Sequence, residues 1–185
     1  PVAKNNISLG KVTLSKVTTG DKNTAIGLAA LKELTTGYNN NAVGYQAGKA
    51  LTTGFNNDMF GFQAGTKVTT GQENVVIGKQ AGFNLSTGKW NVFVGKSAGS
   101  VIQTGQSNTM IGNGANVTGG NTGAVNRTAI GSGAIASTNN TVVLGNTSAA
   151  NQLWVGTDKQ GDVYATNGIF SGTVTGNIQG NVTGN

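Results

Sequence analysis

The amino-acid sequence predicts an all-β protein, a parallel β-roll or β-solenoid in which each coil takes 17 residues. Three columns of residues recur at this interval without a slip, and a fixed period of this length is the signature of a repeat architecture. The columns are Asn23, Asn40, Asn57, Asn74, Asn91 and Asn108; Gly20, Gly37, Gly54, Gly71, Gly88 and Gly105; and Gly27, Gly44, Gly61, Gly78, Gly95 and Gly112. Each unit is too short to bury its own apolar residues, so neighbouring coils must stack.

Four segments follow from the change of pattern along the chain. Residues 1–16 form an N-terminal strand segment, because apolar residues alternate there with polar ones. Residues 17–112 form the regular array, and residues 113–160 form irregular coils and a cap, with Trp154 expected to close the end of the roll. Residues 161–185 form a Gly-Asn-rich, fibre-like segment, and we expect the natural protein to continue past Asn185.

Two short strands are predicted in each unit of the regular array. The first carries an apolar pair before the second glycine column: Ala25-Ile26, Ala42-Val43, Met59-Phe60, Val76-Ile77, Phe93-Val94 and Met110-Ile111. The second carries the apolar residue before the Thr-Thr-Gly step: Val17, Leu34, Leu51, Val68, Leu85 and Ile102. Helix is disfavoured, because each interior Gly costs about 1 kcal/mol relative to Ala. Only residues 29–34 look locally helical.

The apolar pairs predict burial on both faces of the first strand. Neighbouring strand residues point to opposite faces, so Phe93 and Val94 cannot both enter one core. One face packs inside the coil and the other needs a second body, most simply identical chains around an axis. We therefore expect a homotrimer. The Asn column is expected to stack as a ladder of side-chain amides from coil to coil.

Composition argues against an enzyme. The chain has no Cys and no His, which removes the usual zinc ligands and histidine-based triads. Its six acidic residues fall at different phases of the repeat, so no carboxylate site recurs. We predict no catalytic residues, no cofactor and no metal site. Asp58 and Glu73, which come from neighbouring columns, are the pair to test for polysaccharide cleavage.

The charge pattern predicts no nucleic-acid partner. The net charge is +6, but the lysines are scattered; Lys79 and Lys96 share one phase, and the others mostly do not. A nucleic-acid groove needs a continuous basic stripe with stacking aromatics, so these lysines are interpreted as solvated side chains. No apolar run approaches the roughly 20 residues of a membrane span, and no signal peptide is visible. We expect no membrane insertion.

Two known kinds of protein share these patterns. Residues 127–145, from Arg127 through Thr-Ala-Ile-Gly-Ser-Gly to Val-Val-Leu-Gly145, resemble the repeat of trimeric autotransporter adhesin heads. The 17-residue Thr-Thr-Gly-x-x-Asn units and the Gly-Asn tail resemble bacteriophage tail fibre proteins. The resemblance implies a trimeric fibre module in a virion, with no catalytic motif. It also implies partners among other fibre proteins and a bacterial surface glycan or outer-membrane receptor.

Aromatic residues near the turns are the candidate receptor contacts: Tyr38, Phe55 and Trp90. Tyr45 and Phe62 follow the strand glycine in successive units and share the same two interpretations, sugar stacking or packing between coils or chains. Three alternatives remain beside the phage fibre. They are a bacterial trimeric surface adhesin head on the cell surface, an ice-binding solenoid that uses one Thr per coil, and a polysaccharide-degrading tailspike.

Overall fold

The computed structural model describes residues 3–118 and 123–146, which form an all-β parallel solenoid of about eight turns without a helix. Each coil begins at a position of the Asn column, so coil 1 starts at Asn6 and coil 6 at Asn91. Trp154 and the segment 161–185 lie outside the described residues. The predicted all-β solenoid with coils of about 17 residues is confirmed.

Nine strands form one parallel sheet in chain order, with each strand paired to the corresponding strand of the next coil. They are β1 (Ile7–Leu9), β2 (Thr24–Ile26), β3 (Asn41–Val43), β4 (Asp58–Phe60), β5 (Val75–Ile77), β6 (Val92–Val94), β7 (Thr109–Ile111), β9 (Arg127–Ile130) and β11 (Thr141–Leu144). A second sheet pairs β8 (Asn116–Val117) with β10 (Ile135–Ala136). The register steps by 17 residues up to β7, then by 19 to β9 and by 14 to β11.

The predicted second strand does not form in the 17-residue coils. The turn after β2 runs to Glu33, and the backbone N–H groups of the next residues, Thr35, Thr36 and Gly37, all lie within 3.4 Å of one acceptor, the Thr52 carbonyl. Donors that share one carbonyl do not form the regular ladder of a strand pair, although Leu34 on this side is fully buried. A second strand pairs only at β8 and β10, in the coils that depart from the 17-residue length.

The locally helical appearance of residues 29–34 was misleading. Ala29 and Leu31 have φ of 59° and 46°, in the left-handed region, whereas a right-handed helix needs negative φ throughout. The same phases are left-handed in later coils, at Gln46 and Gly48. The repeat geometry therefore overrides the local helix propensity of this Ala- and Leu-rich segment.

The core is filled by two columns whose sizes compensate each other. In coil 2 the strand contributes the small Ala25, and Leu31 fills the space from the turn; both are fully buried. In coil 6 the strand contributes Phe93, and the turn position is Gly99. A Cβ placed on Gly99 would lie 2.6 Å from the Phe93 ring, so the large strand residue requires glycine opposite it.

The two glycine columns serve different needs. Gly61 has a φ of 137°, and a Cβ there would lie 2.7 Å from the backbone of Gly78 in the next coil. Gly54 lies outside the left-handed region, but its Cβ would lie 2.1 Å from the carbonyl oxygen of Gly71. The column of Gly61 needs both an unusual φ and close approach to the next coil, and the column of Gly54 needs close approach alone.

The predicted Asn ladder is present and buried. The backbone N–H and Nδ2 of Asn57 both donate to Asn40 Oδ1, at 3.1 and 2.9 Å. Nδ2 also donates to the carbonyl of Gly71, near the end of the coil that Asn57 begins, at 2.9 Å. The ladder ends at Arg127, whose backbone N–H donates to Asn108 Oδ1 at 3.1 Å. These bonds join consecutive coils on the buried side of the turn.

Candidate interaction surfaces

An apolar column runs along the outer face of the nine-stranded sheet. It is formed by the last residue of each strand, which points away from the core because strand residues alternate. The column, called here the outer apolar column, consists of Leu9, Ile26, Val43, Phe60, Ile77, Val94, Ile111, Ile130 and Leu144. All nine are half-buried or exposed, while the preceding residue in each of β2 to β7 is fully buried.

The neighbouring outward column is mixed, and its centre is also apolar. Val75 and Val92 lie beside Ile77 and Val94, so the middle of the sheet presents four aliphatic side chains together. Nearer the N-terminal end, Asn41 Nδ2 donates to Asp58 Oδ1 at 2.8 Å. The chain thus buries one face of its sheet and leaves the other as a continuous, largely apolar surface of the kind that marks interaction sites.

Tyr38 and Phe55 are brought together, but Trp90 is not. The two rings stack across coils 2 and 3 with centroids 4.9 Å apart and planes 3° apart. Trp90 lies two coils beyond Phe55, one position later in the turn, and Lys89 Nζ stands 4.2 Å from its ring centroid. Tyr38 and Phe55 thus pair face to face, whereas Trp90 lies beneath the ammonium of Lys89. The stacked pair therefore shields one face of each ring from sugar stacking.

Tyr45 and Phe62 form a second stacked pair on a different part of the surface. Their centroids are 5.0 Å apart, and Lys79 Nζ lies 5.6 Å from the Phe62 centroid. Beside them the amides of Gln46, Gln63 and Gln80 form a partly exposed ladder with Nε2–Oε1 distances of 3.1 and 3.2 Å. Both aromatic pairs thus stack between neighbouring coils.

The Thr pairs split as predicted, with one hydroxyl turned into the structure and one outward. Thr35 Oγ1 donates to the carbonyl of Thr52 at 3.1 Å, and Thr52 repeats this bond to Thr69. The second Thr of each pair is exposed. The exposed Thr residues at this phase of the repeat form a single outward column: Thr19, Thr36, Thr53, Thr70, Thr87 and Thr104.

Asp58 and Glu73, the two acidic residues singled out by the sequence, lie in different local settings. Asp58 lies on the outer sheet face with its carboxylate bonded to Asn41, and Glu73 is exposed at a left-handed turn position beside Phe55. Within residues 3–118 and 123–146, no group of three or more acidic side chains is placed to hold a metal ion. In the same part of the chain no helix is long and apolar enough to cross a membrane.

A basic edge is the feature that sequence reasoning missed. The turn after each strand takes six residues, and in coils 1 to 6 these turns lie along one edge of the solenoid: 11–16, 28–33, 45–50, 62–67, 79–84 and 96–101. They carry seven lysines and one acid, Glu33. The lysines occupy the first, fifth and sixth positions of these turns, and the turn geometry gathers the three positions on one edge: Lys11, Lys16, Lys32, Lys49, Lys67, Lys79 and Lys96.

A shallow groove of about 210 Å³ opens on the same edge between coils 5 and 6. Its lining is polar at Gln80, Asn84, Ser97 and Ser100 and apolar at Phe83 and Val101. The other end of the edge is partly neutralised, because Lys16 and Lys32 both pair with Glu33. The hydrogen bond from Lys16 lowers the pKa of the Glu33 carboxyl, which keeps that pair charged.

Comparison of this chain with protein-family models, curated proteins and solved structures finds no match in any of the three.

Proposed function

We propose that this chain is a non-enzymatic structural and receptor-binding module of a bacteriophage tail fibre, which forms a homotrimer and attaches the virion to a bacterial cell surface. The observation that supports assembly is the outer apolar column, which continues over all nine strands of the sheet. The phage assignment rests on the resemblance of the 17-residue units and the Gly-Asn tail to tail fibre repeats.

A copy of the same chain is the partner that suits this surface. The column repeats at the spacing of the coils, roughly 4.8 Å, so its partner needs an apolar surface of equal length and period. A second and third copy supply that surface by rotation about an axis parallel to the solenoid. Interfaces between permanent partners are more apolar than the rest of a protein surface, as this face is.

The trimer is tested by light scattering of the purified protein. We expect about three times the chain mass of 18.6 kDa at micromolar concentration. Ile77→Asp should reduce the mass to that of the monomer, because a charge in the middle of the outer apolar column would be buried without a partner. Thr70→Asp is the matched control, since it adds the same charge at an exposed turn position. A folded wild-type monomer, or a trimer in the Ile77→Asp variant, would contradict the proposal.

The adhesin head remains the second candidate, because residues 127–145 resemble adhesin repeats. An adhesin requires a secretion signal upstream and a coiled-coil stalk with a membrane anchor downstream in its full-length gene product. A tail fibre instead continues into further fibre modules or a folding chaperone. The sequence of the complete gene and its neighbours therefore separates the two candidates.

A further inference from the structure

The net positive charge of this chain is concentrated on one edge. The whole sequence has 12 basic and six acidic residues. Seven of the basic residues and one acid belong to the six turns of the basic edge, so the rest of the chain is balanced, with five of each. The six turns therefore carry the whole net charge of +6, because the basic and acidic residues elsewhere in the sequence cancel in sum. The asymmetry indicates a surface that faces a negatively charged partner.

The charge is least compensated in coils 4 to 6. Lys67, Lys79 and Lys96 are exposed there, and these coils contribute no carboxylate to the edge. Lys67 Nζ donates to Asn84 Oδ1 at 2.8 Å, which places this ammonium at the groove that Asn84 lines. Lys79 and Lys96 share one phase in adjacent coils, so their backbones are separated by one coil spacing, roughly 4.8 Å.

The groove adds hydrogen-bonding groups to this charge. Gln80, Ser97 and Ser100 offer amide and hydroxyl groups between the lysines, and Gln80 ends the amide ladder from Gln46. Such groups match the hydroxyls and acidic groups of a sugar polymer. The groove is shallow and runs between coils, which suits an extended chain better than an enclosed small molecule.

The aromatic rings on the edge argue against single-stranded nucleic acid. Binding of that kind stacks bases on exposed ring faces. Here Tyr45 and Phe62 stack on each other, Lys79 stands over Phe62, and Lys67 Nζ lies 4.9 Å from the Phe83 centroid. Each of these rings has at least one face covered by a neighbour, so the edge offers charge and hydrogen bonds together with fewer open ring faces than a stacking platform presents.

We propose that the basic edge binds a linear acidic polysaccharide, with Lys67, Lys79 and Lys96 contacting its anionic groups around the groove of coils 5 and 6. This inference rests on the proposed role in host attachment and names the ligand class. It places the contact away from Tyr38, Phe55 and Trp90. The edge stays open in the trimer, because lysines are depleted from the cores of interfaces and the apolar face supplies the interface.

The test measures binding of the full chain to polygalacturonate, a linear carboxylated polysaccharide, with neutral dextran and single-stranded DNA as the comparison ligands. The edge variant carries Lys67→Gln, Lys79→Gln and Lys96→Gln. The control variant carries Lys4→Gln, Lys22→Gln and Lys89→Gln, three lysines outside the edge, and so changes the net charge equally. Light scattering and thermal melting of each variant verify that assembly and folding are unchanged.

We expect polygalacturonate to bind at low ionic strength, to be released by salt, and to bind the edge variant at least tenfold more weakly. The control variant should lose less than threefold. Equal losses in both variants would mean that net charge alone attracts the polymer, and would overturn the proposal. So would tighter binding of DNA than of polygalacturonate, or no polygalacturonate binding by the wild type. A trimer that fails these binding tests would refute this inference and leave the proposed fibre module standing.

Discussion

Single residues set the path of the backbone in every coil. Left-handed φ angles recur at the same phases in successive coils, at side chains as different as Lys22, Glu73 and Trp90. Each such non-glycine position carries a cost of order 1 kcal/mol or more, which the stacked neighbours must offset. Glycine is required where a Cβ would meet backbone of the next coil, as at Gly61 and Gly54, or a large core side chain, as at Gly99.

Gly61→Val should therefore prevent folding or lower the melting temperature sharply. The new side chain would need a φ near 137° and would lie within 2.7 Å of the Gly78 backbone. Gly114→Asn is the matched control, because Gly114 has a φ of 68° with nothing within 4 Å of its Cβ position, and Asn tolerates that region. Thermal melts followed by circular dichroism compare the melting temperatures of the two variants. A Gly61→Val protein as stable as the control would show that the column does not need glycine.

At the level of the coil, the strand and the turn share one core volume. Coil 2 combines Ala25 with Leu31, whereas coil 6 combines Phe93 with Gly99; coil 3 has Ala42 with Gly48, and a Cβ on Gly48 would meet the side chains of Leu31 and Met59 from the neighbouring coils. This exchange lets each coil keep the same backbone while its core residues differ. Close packing makes such compensation necessary, because both a void and an overlap in the core lower the free energy of unfolding.

Phe93 and Gly99 should show strong coupling in a double-mutant cycle. Phe93→Ala alone should cost about 3–5 kcal/mol of unfolding free energy, through lost burial and a cavity. Gly99→Leu alone should also destabilise, because its side chain would overlap the Phe93 ring. The double variant imitates Ala25 with Leu31, and Leu31 already adopts a left-handed φ of 46° at this phase.

Denaturant unfolding of the two single variants and the double variant measures this coupling. We expect the double variant to be more stable than the sum of the single losses predicts, by at least 1 kcal/mol. The control pair is Gly99→Leu with Phe83→Ala, a residue that lines the surface groove. Additive losses for Phe93 and Gly99 would mean that the two columns do not share volume.

At the scale of the whole molecule, the described part of the solenoid presents three surfaces that repeat along its axis. Its outer sheet face is apolar, its basic edge is polar and positive, and its exposed Thr residues follow a third line. Each surface repeats from coil to coil because stacking copies every phase along the axis. Such surfaces are suited to assembly and to extended ligands.

We expect no release of reducing sugar when the protein is incubated with bacterial surface polysaccharides. Glycoside hydrolysis needs two carboxyl groups placed on either side of one bond, about 5–9.5 Å apart. Asp58 is bonded to Asn41 on the outer sheet face, while Glu73 is exposed in the turn that precedes β5. Sugar release that disappears in Asp58→Asn or Glu73→Gln would instead place the protein among polysaccharide-degrading tailspikes.

The sequence by itself determined the period, the coil length and the ladder chemistry. A 17-residue interval repeated in three columns already implies stacked coils, because equal spacing places equal residues above one another. The Asn ladder, the split of each Thr pair and the division of Phe93 and Val94 between two faces all follow from that rule.

Only the tertiary structure decided how the chain closes each coil. In the 17-residue coils, the predicted second strand and the local helix at residues 29–34 are both absent, because the residues after each strand form a turn that contains left-handed φ angles. The basic edge was hidden for the same reason. Lys67 and Lys79 occupy different phases of the repeat, and they lie on the same edge because both belong to the six-residue turns that follow the strands of successive coils.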